Sequence, residues 1–148
     1  MKNFFLTILV LASISQPAFS ENPNIRTQEF PKKEMKSQNK EIVQLVSKEI
    51  SQTLPQKIDK YTTLVSVSGI DTTLVYNFEI NTGAKSDEAV KNEDRSRMEK
   101  AITNGVCQSS SKFLEAGINT SYVYKSAKSK ANLFQFDVEQ KDCINSIN

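Results

Sequence analysis

Ile42, Val43, Leu45, Val46 and Ile50 recur at three- and four-residue intervals, with Gln44, Ser47, Lys48 and Gln52 on the other side. That spacing draws one apolar face of a helix, expected over about residues 39–53. Ser37 or Asn39 stands where a cap belongs, Glu41 suits the positive end of the helix, and Pro55 after Leu54 stops it. The rhythm then changes to two. Tyr61–Val67 is rich in β-branched residues, and Thr72–Ile80 alternates so that Leu74, Tyr76, Phe78 and Ile80 share a face. With Ser68-Gly69-Ile70-Asp71 as the turn, the pair reads as a β-hairpin.

Residues 81–88 form a polar loop, and a second helix is expected over about 88–115. Its stripe is Met98, Ile102, Val106, Ser109 or Ser110, Phe113 and Leu114; its first two turns are almost wholly charged, and Gly117 sits where a C-terminal cap belongs. A second hairpin follows. Ile118, Thr120, Tyr122 and Tyr124 alternate with Asn119, Ser121, Val123 and Lys125, the loop 126–130 turns the chain, and Phe134, Phe136 and Val138 share a face of the last strand. The order α-β-β-α-β-β implies an α+β domain: a four-stranded antiparallel sheet with helices packed on one face. The other face, with Thr63 or Ser66, Val75, Asn77, Ser121 and Val123, is expected to be polar and wet.

The two ends of this pattern differ from its middle. Residues 1–20 hold Lys2, an apolar run from Phe4 to Ile14, Pro17, and small residues at Ala18 and Ser20. This is the layout of a secretory signal peptide, with cleavage expected between Ser20 and Glu21. The run is short for a membrane span, no second long apolar stretch follows, and no cysteine near the cleavage point could take a lipid anchor. Residues 21–40 contain Pro23, Pro31 and only three apolar side chains (Ile25, Phe30, Met35), too few to offset the entropy of ordering, so they read as a flexible arm. One α+β domain is expected over 41–148.

Composition narrows the chemistry. The chain has no histidine, which excludes Ser-His-Asp and Cys-His catalysis, His-based metal sites and a histidine pH switch. Nineteen Lys and Arg against seventeen Asp and Glu give no electrostatic case for nucleic acid. No phosphate loop, dinucleotide fingerprint, H-E-x-x-H or C-x-x-C occurs, and four scattered glycines build no phosphate cradle. Asp87, Glu88, Glu93 and Asp94 are interleaved with Lys85, Lys91, Arg95 and Arg97, the pattern of an exposed mixed-sign helix start. Tyr76, Tyr122 and Tyr124 read as core packing, and Lys125, Lys128 and Lys130 as a solvated hairpin tip. No catalytic, cofactor-binding or metal-binding residue is assigned. The two cysteines, Cys107 and Cys143, carry the one structural inference: in an oxidising compartment they pair as a disulfide. Their spacing lacks the proximity of a redox pair, and two thiolates without histidine make a poor zinc site. Closing a loop of 36 residues stabilises by roughly 3.5–4 kcal/mol in the chain-entropy model.

Four stretches resemble a known family: Ile50–Pro55 closing the first helix, Tyr61–Val65 opening the sheet, Val106-Cys107 with Phe113–Asn119, and Asp142-Cys143-Ile144. They are similar to the AspS-type pilotins of type II secretion systems. The resemblance spans roughly 41–144 and implies a small α/β domain with one disulfide. It also implies a protein partner, the C-terminal region of an outer-membrane secretin subunit. The chain departs from that family in lacking an acylatable cysteine. The expectation is therefore a soluble periplasmic, non-enzymatic, pilotin-like binding protein that holds a segment of an envelope or secretion-system protein. The alternative is a small secreted or periplasmic inhibitor or exclusion protein from a mobile element, acting through loop 81–88 or 126–130.

Overall fold

The computed structural model describes residues 32–144, so the signal segment, the Ser20–Glu21 cleavage point and the first part of the arm lie outside the described residues. In chain order the elements are α1 Lys32–Ser51, β1 Gln56–Lys57, β2 Thr62–Ile70, β3 Thr73–Ile80, α2 Asp87–Ser109, α3 Ser111–Glu115, β4 Asn119–Ser126, β5 Asn132–Val138 and α4 Gln140–Ile144. The five strands form one sheet in the order β1-β2-β3-β4-β5. The α+β class stands, but a four-stranded antiparallel sheet is corrected to a five-stranded mixed one. β1 adds a two-residue edge opposite Thr63 and Leu64, and β3 pairs with β4 in parallel, Leu74 opposite Thr120 and Phe78 opposite Tyr124. The cause is the crossover. A helix as long as α2 returns the chain to the end of the sheet from which β3 started, so β4 enters running the same way.

Helix boundaries move as well. α1 begins at Lys32, so residues 32–40 of the expected arm are its first turns. Asn39 is not a cap but a buried side chain whose Nδ2 donates to the Ala116 carbonyl (2.6 Å). The single helix expected over 88–115 breaks at Ser110 into α2 and α3, and α4 is an addition to the expected order. Ser86 caps α2, its Oγ accepting from the Ala89 amide (3.2 Å). Gly117 (φ 85°) does terminate α3. Its amide donates to Leu114 O (2.9 Å) and that of Ile118 to Phe113 O (2.8 Å), the bond pair of a Schellman cap. In the first hairpin the strands run further than expected, to a two-residue turn at Asp71-Thr72. Asp71 takes the left-handed conformation (φ 53°), and its carboxylate is held by Lys40 (2.7 Å) and Lys36 (3.2 Å) from α1.

Both long helices lie on the face carrying Leu74, Tyr76, Phe78, Tyr122, Tyr124, Phe134 and Phe136. α1 packs on β2 and α2 on β5. A bulge between Leu64 and Ser66 keeps both Leu64 and Val67 buried on that face. The main core joins Val43 of α1 and Val90 of α2 to the sheet, and a smaller cluster of Val106, Leu114 and Val138 closes the end near the disulfide. The helix-free face is less wet than expected: Ser121 and Val123 are buried at the centre of the sheet, and Gln135 reaches Ser121 Oγ (3.4 Å).

Candidate functional site

The disposition of the helices leaves the middle of the sheet incompletely roofed. α1 packs on β2 and reaches β3, α2 packs on β5, and α1 and α2 are not among the element pairs in close contact in the described residues. β3 and β4 form the floor between them. There Tyr76 stacks on Tyr122 with ring centroids 5.1 Å apart, and Phe78 stacks on Tyr124 at 4.7 Å. Val46, Ile50 and Leu54 stand on the α1 side and Met98 and Ile102 on the α2 side. All five, with Tyr76, Ile80 and Tyr122, are only half-buried. These half-buried side chains make an apolar strip between the helices, termed the trough, with Tyr76 and Tyr122 at its base.

The electrostatics fit that description. Burial pushes the Tyr76 phenol above its ordinary value, and pushes Tyr122 and Tyr124 to about 12. Neighbouring phenols reinforce the shift at Tyr122, and Asp59 does so at Tyr124. The three rings are thus neutral across the physiological range. Tyr76 and Tyr122 are half-buried and Tyr124 is buried. The three tyrosines singled out from sequence do pack in the core, as expected, but two of them also form the base of the trough. Beside it the Thr120 hydroxyl is buried without a partner.

A second concavity, of about 440 Å³, lies where α2, α3 and α4 meet. The Cys107–Cys143 bridge, Leu114 and Ile144 provide its apolar surface, with Asn104, Gln108, Gln140 and Glu115 around them. The disulfide is formed, with Cα atoms 5.4 Å apart. It joins the end of α2 to α4, not to β5 directly, and α4 has no buried residue of its own. The wall is therefore held by a covalent bond and by Asp142, whose carboxylate accepts from the Glu139 amide (2.8 Å).

Other sequence candidates are tied down. Glu93 pairs with Lys85, and Asp87 accepts from Ser129 Oγ (2.6 Å), which holds its carboxyl below the usual range. Arg95 lies over the Phe136 ring, 5.7 Å from its centroid. The two loops expected of an inhibitor are fastened to each other, and the second of them to β3. Asn81 closes a turn on Gly83, Lys130 pairs with Glu79 (2.7 Å), and Ser129 bonds to Asp87. Sequence reasoning missed the trough because no residue in it is unusual. The signal available was the coincidence of the Tyr76-Phe78 and Tyr122-Tyr124 alternations with a helical link between them, which places the aromatic pairs side by side.

The same fold occurs in three solved structures. A Pseudomonas aeruginosa protein described as secreted, PA3611, superposes with a TM-score of 0.65 at 14% identity, covering 74% of this chain and 96% of its own. EpsS, the pilotin of the Vibrio vulnificus type 2 secretion system, gives 0.62 at 14% identity over 75% and 96%. AspS, the type II secretion system pilotin of Vibrio cholerae, gives 0.60 at 13% identity over 76% and 98%. The architecture is thus pilotin-like, as the four sequence stretches implied. No curated protein matches this chain. Residues 37–134 match the model of one protein family, and the chain belongs to it: the family described as Domain of unknown function (DUF8479).

Proposed function

We propose that this domain is a non-enzymatic accessory protein of the cell envelope that holds a segment of a secretion-system or other envelope-assembly protein. Residues 1–20 export it, cleavage after Ser20 releases it, and it works in the periplasm. The observation that carries the reading is the trough: eight half-buried apolar side chains on one face, over an aromatic base. Because α1 and α2 stand on strands that are not neighbours, the side chains of a third helix have access between them. An amphipathic helix laid along the rim would insert its apolar i, i+3, i+4 and i+7 residues between α1 and α2, onto Tyr76 and Tyr122. Each large side chain so buried contributes about 1.5–3 kcal/mol before ordering costs. Three of them supply about 4.5–9 kcal/mol, which after an association cost of about 4 kcal/mol or more accounts for roughly millimolar binding, so micromolar affinity also needs polar contacts along the rim. The likeness to two pilotins supports the same reading, and a secretin C-terminal segment is the first partner to test.

The experiment is a fluorescence-anisotropy titration of the purified, disulfide-bonded protein with labelled peptides covering the C-terminal regions of secretin subunits from the same genome. One of them is expected to bind at micromolar concentration. Ile102→Lys and Met98→Lys, each checked for folding by near-UV circular dichroism, should weaken it at least tenfold, and Lys112→Ala on the exposed side of α3 should not. Binding that both trough variants leave intact, or no binding by any secretin segment, would sink the proposal.

A further inference from the structure

The sheet has two edges, and the chain treats them differently. On the β2 side, β1 pairs with the start of the strand. Beyond it, Gln44 Nε2 donates to the Gly69 carbonyl (2.8 Å), and Ser51 Oγ, whose shorter bond is to Ser47 O (2.7 Å), also lies 3.2 Å from the Val67 carbonyl, so α1 covers part of what β1 leaves open. On the β5 side nothing comparable occurs. Among the described residues, no backbone or side-chain hydrogen bond reaches the outer N–H and C=O groups of Asn132–Val138. A seven-residue strand with its outer groups unpaired is a template for another strand. Natural edges are usually guarded by a proline, a lysine or a bulge in mid-strand. Asn132–Val138 contains neither proline nor lysine, and its register shift lies at the start of the strand, opposite Tyr124 and Lys125.

We propose that the β5 edge takes up an extended segment of a partner protein as a sixth strand, with basic side chains on the helix-free face and small apolar ones beneath α2. Charge and space select this occupant. On the helix-free face the edge shows Gln135 and Asp137, both exposed. Asp137 accepts from Gln135 (3.2 Å) and has no cation within ion-pair distance among the described residues, so Lys or Arg is attracted there and Asp or Glu repelled. On the helix face Phe134 and Phe136 are buried, with Arg95 over the latter, so that side of the edge is apolar and closely covered and suits small apolar side chains. A second copy of this chain fits poorly. Antiparallel pairing of two β5 strands at about 4.8 Å would bring their α2 helices nearly as close, against the 8–10 Å that packed helices need. A segment with no helix of its own meets no such conflict. This edge lies outside the trough, on the far side of α2, and the inference stands without the trough's function.

The test uses the isotopically labelled, disulfide-bonded protein and two heptapeptide probes, one alternating lysine with valine and the other glutamate with valine. The lysine peptide is expected to shift and protect amides of Asn132–Val138, and to bind at least tenfold more tightly than the glutamate peptide. Asp137→Lys should reverse that order. Equal affinity for the two peptides, shifts at Tyr76 and Tyr122 in place of β5, or no shift at millimolar peptide each overturn the proposal. So does a doubled mass in light scattering with β5 already protected before peptide is added, which would make a second copy the occupant.

Discussion

Replacing Gly69 by alanine tests how tightly α1 sits on the sheet. A Cβ built at Gly69 would lie 2.6 Å from Val43 Cγ1 and 3.0 Å from both the Val43 carbonyl oxygen and Gln44 Nε2. Val43 is fully buried and one of these atoms is backbone, so rotation of a side chain cannot relieve the overlap. The helix has to lift, which also strains the bond from Gln44 to the Gly69 carbonyl. Overpacking of this kind costs about 1–3 kcal/mol. At about 2 kcal/mol, a domain of this size should melt about 8 °C lower. Urea denaturation followed by far-UV circular dichroism gives the free energy directly, with an unchanged slope expected because the surface exposed on unfolding is the same. Val43→Ala opens the space that the new methyl group needs. Alone it is destabilising, but combined with Gly69→Ala the loss should be about 1 kcal/mol less than the sum of the two. Additive losses, or a Gly69→Ala protein within about 0.5 kcal/mol of the parent, would refute the close packing.

Three further outcomes are expected. Replacing both Cys107 and Cys143 by serine should cost about 3–4 kcal/mol in the same denaturation assay, the entropy of a loop of this length; a loss below about 1 kcal/mol would mean that α4 and α2 are held by other contacts. Raised phenol values favour the folded state while the tyrosines are neutral. That stability is present below the ordinary phenol value of 10.0 and is lost as pH rises toward the folded-state value of about 12 at Tyr122 and Tyr124. Ultraviolet absorbance of tyrosinate should therefore show late-ionising tyrosines that ionise together with unfolding, and a single ordinary titration with the fold intact would count against it. Thr120→Val exchanges a buried, unpartnered hydroxyl for a methyl group of the same shape and should stabilise by about 1 kcal/mol. Destabilisation would show that the hydroxyl is satisfied in solution.

Local patterning carried most of the elements. The alternation in 72–80 and 118–125, the stripe in 42–50 and the glycine at position 117 all lie where the structure uses them. What stayed hidden depended on partners distant in sequence. Lys32–Gln38 is exposed and, apart from Met35, polar, and its helix is extended from a body that is anchored by Asn39 on Ala116, 77 residues away. β1 is two residues long and exists only as the complement of Thr63 and Leu64. The parallel pairing of β3 and β4 was legible in principle, since a helical link favours it over a hairpin. Reading each hairpin by itself obscured that constraint. The trough was less legible still, because its residues are ordinary core residues and only the spacing of two helices leaves them half-covered.

That spacing follows from the topology. Parallel pairing of β3 with β4 requires a crossover, and β5 then returns antiparallel on the outer side, where α2 finds its apolar footing. α1 is drawn to the opposite side by Gly69, by the carbonyls of Gly69 and Val67, and by the lysine clasp on Asp71. α1 therefore stands on β2 and α2 on the outer strand β5, and between them Tyr76, Ile80 and Tyr122 stay half-buried while Leu74, Phe78 and Tyr124 are buried. Tyrosine suits that place. A phenylalanine pair would expose carbon to water in the unbound domain, and a more polar pair would forfeit the stacking that holds β3 against β4. Rings that stack on each other and carry a hydroxyl keep the trough tolerable and leave it apolar enough to bind. On this account, Tyr76→Phe with Tyr122→Phe will preserve the fold and tighten, not weaken, the grip on an apolar helix, with a loss of solubility. A loss of peptide binding in that double variant would instead assign the hydroxyls a direct role as hydrogen-bonding partners of the bound segment.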